Sequence, residues 1–166
     1  MPRAMSREYP KSPLIGVGVV VLNGDDVLLI RRGKPPRQGE WSLPGGLQDV
    51  GETVAEAAVR EIREETNVEI TLGGLIDVFD SIIRDEDNKV KFHYTLIDFA
   101  AQWKSGIPVA GDDAMDAAWK PISEISALNL WNESVSAIHK ANQMINSTPV
   151  VPQNTNKTLD GGKELN

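Results

Sequence analysis

Three glutamates, Glu61, Glu64 and Glu65, fall within little more than one helical turn of this 166-residue chain. Glu61 and Glu65 are an i,i+4 pair and Glu61 and Glu64 an i,i+3 pair, so on a helix the three carboxylates share one face and repel. A hard divalent cation with oxygen ligands relieves that repulsion. A row of glutamates with no His or Cys nearby suits Mg²⁺ or Mn²⁺ better than zinc. Mg²⁺ in particular takes a few carboxylates while keeping waters and substrate phosphate oxygens. The competing reading is plain: glutamate is a good helix former, and glutamate-rich solvated helices are common.

The spacing around these acids decides between the two. From Gly46 to Val68 the chain follows G-x5-E-x7-R-E-U-x-E-E-x-G-U, with U an aliphatic residue. Gly46, Glu52, Arg60, Glu61, Ile62, Glu64, Glu65 and Val68 match, and Asn67 stands where the pattern has Gly. That position is the expected C′ residue of the helix, which needs a left-handed conformation, and Asn is the next best residue there after Gly. The segment closely resembles the signature of the Nudix hydrolases. The resemblance implies an α/β/α sandwich with a mixed β-sheet, and metal-dependent hydrolysis of a diphosphate linkage. It also implies that Glu61, Glu64 and Glu65 hold the metal with the backbone carbonyl of Gly45 or Gly46. Arg60 is then expected to orient a catalytic glutamate through charge-assisted hydrogen bonds. Glu61 is left as either the general base or a further metal ligand.

Other residues are candidates on weaker patterns. The family often takes an extra carboxylate from a loop late in the sheet, and Gly111-Asp-Asp-Ala-Met-Asp116 sits where that loop is expected. Asp113 is preferred over Asp112, against the alternative of an acidic turn. Arg31, Arg32, Lys34 and Arg37 precede the signature and either bind phosphate or form a solubilising surface. Trp41 either stacks on a base or packs into the core, with packing favoured. His93 has no His partner and reads as structural.

The elements that position these groups can be read from turns, caps and periodicity. Leu14–Leu22 and Val27–Arg32 are expected strands joined by Asn23-Gly24-Asp25-Asp26, a hairpin turn. Residues 33–40 form a basic, proline-rich loop. Thr53 with Glu56 makes a capping box that starts the acidic helix near Val54. Ala55, Ala58, Val59, Ile62 and Thr66 are its expected core-facing stripe. Val68–Leu72 and Leu75–Ile83 read as strand segments broken by Gly73-Gly74. A charged turn at Arg84–Asn88 leads to a strand over Val90–Ala100. Residues 102–117 read as an irregular loop and Trp119–Ile122 as a short strand. Helices are expected over Ser123–Leu128 and Trp131–Ile145, the second amphipathic. The divisions are a flexible lead-in at 1–13, the catalytic domain at 14–146, and a disordered polar tail at 147–166.

Composition narrows the partners. Acidic residues outnumber basic ones, 24 to 17, for a formal charge of −7. That balance argues against nonspecific binding to nucleic acid or an anionic membrane. Without cysteine neither a disulfide framework nor a thiolate metal site is available. The apolar run Leu14–Leu22 is too short to span a bilayer, so a cytoplasmic protein is expected. The segments flanking the signature look like those of short bacterial members grouped with ADP-ribose pyrophosphatases. ADP-ribose or a related nucleotide sugar is the expected substrate, with a nucleoside triphosphate such as an oxidised dNTP as the rival. A catalytically silent nucleotide-binding module is the alternative of another class, disfavoured by the intact glutamates. Members commonly pair as homodimers, and the resemblance extends that expectation to this chain.

Overall fold

The computed structural model describes residues 7–111 and 113–146. Expectations that fall on residues 1–6, on Asp112 and on the tail from Ser147 lie outside those residues. A seven-stranded mixed sheet runs through the molecule: β1 (Leu14–Asn23), β2 (Asp26–Arg32), β3 (Trp41–Ser42), β4 (Gly45–Leu47), β5 (Glu69–Arg84), β6 (Val90–Ser105) and β7 (Ala114–Pro121). Its helices are α1 (Val54–Thr66) and α2 (Asn132–Asn146), with a 3₁₀ segment at Ile122–Leu128.

Strand alternation divides the core between two faces. Val17, Val19 and Val21 of β1 pack with Ala57, Ala58 and Ile62 of α1. Val20 and Leu22 face the other way, onto Ala137, Ile138 and Ala141 of α2. Helices therefore cover both faces, which is the expected sandwich. The α1 stripe differs from expectation in one residue. Ala57 is fully buried, whereas Ala55 is only half-buried.

The topology opens a wedge. β1 and β6 pair in parallel along their whole contact, Leu14 with Tyr94 through Leu22 with Gln102. On its other edge β1 meets β2 only beside the hairpin turn, at Leu22–Val27 and Asn23–Asp26. Beyond that the two strands splay. β4 then pairs with β1 at Gly16–Gly18, and β3 pairs with β2 at Ile30 and Arg31.

Three sequence expectations are corrected. β5 is continuous through Gly73-Gly74, because the irregularity is absorbed as a register shift against β6 between Leu72 and Leu75. A bulge bends a strand without ending it. β6 extends to Ser105 and β7 starts at Ala114, so among the described residues the irregular stretch shrinks to 106–111 and Asp113. The segment after β7 is a 3₁₀ turn rather than an α-helix, started at Pro121 and stopped by Asn129 in a left-handed conformation (φ 53°). In the lead-in, Tyr9 is tied down: its N–H donates to the Lys91 carbonyl (2.8 Å) and its hydroxyl to Asp85 (2.9 Å).

Candidate active site

Helix α1 is fixed at both ends, and this sets where its acids point. At the start, the Glu56 N–H donates to Thr53 Oγ1 (3.1 Å) and the Thr53 N–H to Glu56 Oε2 (2.7 Å), the reciprocal bonds of a capping box. At the end, Asn67 is left-handed (φ 59°, ψ 24°) and its N–H donates to the Arg63 carbonyl. The last carbonyls are taken by the loop that follows β6. Val109 N–H donates to Thr66 O (2.9 Å) and Gly111 N–H to Glu65 O (2.8 Å). Those bonds bring Asp113 to the same end of the helix as the glutamates.

The acids and a group of cations line one cleft of about 520 Å³ in the wedge between β1 and β2. Glu61, Glu64 and Glu65 form one wall, with Gly45 and Gly46 of β4 beside them. Arg32, Lys34 and Asp113 line it as well, as does Arg7. Gly46 lets the Glu61 carboxylate lie against the strand, since a Cβ there would push that carboxylate aside. Glu65 Oε2 accepts from the Gly45 N–H (2.8 Å). Burial, then the nearby Glu61 charge, outweighs that bond and pushes the Glu65 carboxyl up to about 7. Burial likewise raises Glu61, against the pull of Arg60.

Arg60 organises the acids. Its guanidinium donates to the Leu47 carbonyl (2.9 Å), Glu52 Oε2 (3.0 Å), Glu61 Oε1 (2.9 Å) and Glu64 Oε2 (3.1 Å). A planar fork of five donors can serve four acceptors at once. Glu52, one of the signature acids, is thereby assigned to Arg60 and to the Asp49 N–H (2.8 Å) and is absent from the cleft lining. Those bonds, that to Arg60 first, hold its carboxyl at about 2.

The remaining candidates separate by location. Asp113 forms an ion pair with Lys34 at the mouth of the cleft. Arg32 lines the cleft, and its Nε donates to the Pro36 carbonyl (2.7 Å). Arg31 instead turns to the Gly39 carbonyl (2.8 Å). Arg37 pairs with Glu40, donates to the Asn129 carbonyl (2.9 Å) and lies over the Trp131 ring (5.3 Å). Trp41 packs against the α2-side core, with Lys120 Nζ 4.6 Å from its ring centre. Neither Arg31, Arg37 nor Trp41 lines the cleft. Arg7 escaped the sequence reading because it sits in a segment without periodicity or motif.

As drawn together here, no three acidic side chains among the described residues close into a cation cage. Arg60 holds Glu61 and Glu64, and the Gly45 amide holds Glu65. A donor set of oxygens on one wall, with two carboxyls raised by burial, nonetheless fits a hard cation that completes its shell with water and phosphate.

The chain is similar to known proteins of one family. The NUDIX domain family model matches residues 12–140. An ADP-ribose pyrophosphatase of Methanocaldococcus jannaschii is 34% identical over 123 residues, covering 74% of this chain and 70% of that protein. The uncharacterized Nudix hydrolase YvcI of Bacillus subtilis is 34% identical over 109 residues, 66% of each chain. The crystal structure of a MutT NUDIX hydrolase from Burkholderia pseudomallei superposes with a TM-score of 0.67 at 29% identity, over 78% of this chain and 98% of that one. With Gly46, Glu61, Glu64 and Glu65 of the signature lining one cleft and this family match over most of its length, the chain belongs to the Nudix hydrolase superfamily and is an enzyme acting on pyrophosphate bonds.

Proposed function

We propose that this enzyme hydrolyses the diphosphate of ADP-ribose or a related nucleotide sugar, giving AMP and a sugar phosphate, with Mg²⁺ or Mn²⁺ as cofactor. The observation that carries the reading is the division of charge in the cleft: glutamates on one wall, with Arg7, Arg32 and Lys34 also lining it. A diphosphate is the ligand that such a cleft suits, since its oxygens meet both fixed cations and a carboxylate-bound metal. The relative named as an ADP-ribose pyrophosphatase, matched over 74% of this chain, supports the choice of sugar nucleotide.

In this reading Glu61, Glu64 and Glu65 hold the cation, together with a backbone carbonyl at Gly46. Bound there, the metal supplies charge neutralisation at the phosphates and acidifies a coordinated water. The rest belongs to the chain. Arg60 keeps Glu61 and Glu64 in place and remains a cation throughout. Glu61, raised by burial, is also the candidate general base, the alternative to its place as a metal ligand. Arg32 and Lys34 orient the phosphates, and Asp113 is the carboxylate that the loop after β6 can add when Lys34 turns to substrate.

The test is a substrate panel with Mg²⁺ or Mn²⁺, scoring AMP, orthophosphate and pyrophosphate. AMP with ribose 5-phosphate from ADP-ribose is the expected result. Pyrophosphate released from dNTPs, with ADP-ribose untouched, would replace this reading by that of a nucleoside triphosphate pyrophosphohydrolase. Nucleotide binding without any product would make the chain a silent module.

A further inference from the structure

A second cavity, of about 140 Å³, adjoins the cleft, and Arg7, Arg32, Gly45 and Gly46 line both. It lies on the α2 side of the sheet, where strand alternation builds its floor. Tyr94, Leu96 and Asp98 of β6 stand opposite Gly16 and Gly18 of β1, register partners of Leu96 and Asp98. Phe79 of β5 is the other partner of Leu96. Farther along the same face, Ala100 joins the core under α2. The cavity is thus the place where that core stops, and Trp131 borders it beside the start of α2.

Asp98 is 5% exposed, and among the described residues no hydrogen bond or ion pair reaches its carboxyl. It lies directly over Gly18, where a Cβ would overlap Oδ1, so glycine at that position is what admits it. Asp77, its register partner on β5, is the charge that acts on it, a like charge already paired with Lys140 (2.7 Å). Arg7, Arg32 and Tyr94 line the cavity with it, and Glu133 lies with Asp77 and Lys140 on its other side. Burial, then Asp77, pushes the carboxyl up to about 6, so above neutral pH it is an anion that can only accept hydrogen bonds. Among the described residues no side-chain oxygen is sealed off without a partner, so the Asp98 oxygens face the cavities that the residue lines. With no protein donor there, they are open to hydrogen bonds from a ligand.

We propose that Asp98 is a specificity-determining residue that accepts two neighbouring hydrogen bonds from the group attached to the diphosphate. This rests on the reading of the adjoining cleft as the diphosphate site. Two adjacent donors are offered by the vicinal hydroxyls of a ribosyl group or by the N1–H and N2–H edge of guanine. Adenine presents one donor beside an acceptor, which would set a nitrogen lone pair against the carboxylate. Phe79, Tyr94 and Trp131 give the cavity flat apolar surface against which a ring can rest. Arg7 and Arg32 stand at the junction, where the phosphates would enter the cleft.

The experiment measures dissociation constants in EDTA, where turnover plays no part. GDP is compared with IDP, which lacks the N2 amino group, and ADP-ribose with ADP-2-deoxyribose, which lacks one hydroxyl. The wild-type protein should prefer the donor-bearing member of one pair by roughly tenfold or more, and the pair concerned identifies the source. Asp98→Asn should bring that ratio to within about twofold while raising the thermal midpoint at pH 8, a combination that a purely structural acid would not give. A wild-type ratio below twofold for both pairs overturns the proposal without recourse to a variant, as does a ratio that survives Asp98→Asn. Because the readout is binding, a failed substrate panel and a failed Asp98 assignment remain separate results.

Discussion

Arg60 is the residue on which the acids of the signature converge. Its side chain is only 25% exposed, and it serves Glu52, Glu61, Glu64 and the Leu47 carbonyl together. Removing one partner of such a part-buried group leaves charge uncompensated, which costs about 3 kcal/mol. Arg60→Ala is therefore expected to lose about that much stability in a urea titration. Arg60→Lys, a point charge without the fork, should recover only part of it. Glu64 is different. Its side chain is 61% exposed and its single ion pair lies at the surface, so Glu64→Gln should change stability by less than about 1 kcal/mol. Its turnover should nevertheless fall by roughly a hundredfold or more. A variant with near-normal kcat in Mg²⁺ would remove Glu64 from the site.

Helix α1 shows how much of the site could be read in advance, and why. Its cap, its stop and its spacing are local properties, so Thr53, Glu56 and Asn67 announce them in sequence and the structure reproduces them. Asn67 gives a direct check. Asn67→Gly should be within about 0.5 kcal/mol of wild type, since both residues adopt the left-handed region. Asn67→Val should cost about 1–2 kcal/mol, because its branched Cβ crowds the carbonyl there. Thermal midpoints of the two variants decide it. What local reasoning missed depends on partners far along the chain. Gly73-Gly74 reads as a break, but pairing with β6 carries β5 through it. β7 begins at Ala114 because Arg32 of β2 supplies its ladder partner, and no periodicity in residues 113–118 signals that. Asp98 is a lone acid in a strand. Only the register of β1 against β6, which sets Gly18 beneath it, makes its burial visible.

At the scale of the whole molecule, net charge and topology act together. The wedge between β1 and β2 collects several acids of a chain that is already acidic, and three carboxyls in or beside it are raised by burial: Glu61, Glu65 to about 7 and Asp98 to about 6. Each has a folded value above its unfolded one, so the folded state binds more protons between the two. Their contribution to stability is complete below about pH 4 and is lost as pH rises through 6 and 7. The metal-free protein should therefore become less stable from pH 5 to pH 8. Asp98→Asn should recover part of that loss, up to about 3 kcal/mol at pH 8. Mg²⁺, which favours ionised Glu65, should raise the thermal midpoint more at pH 8 than at pH 6. Equal Mg²⁺ shifts at both pH values would separate Glu65 from the cation.

The account rests on Glu61, Glu64 and Glu65 holding a divalent metal, and Mn²⁺ titration followed by electron paramagnetic resonance tests that without reference to substrate. Loss of the free Mn²⁺ signal on binding to wild-type protein is predicted, with affinity lowered roughly tenfold or more in Glu61→Gln, Glu64→Gln and Glu65→Gln. Equal binding by wild type and all three variants would contradict it.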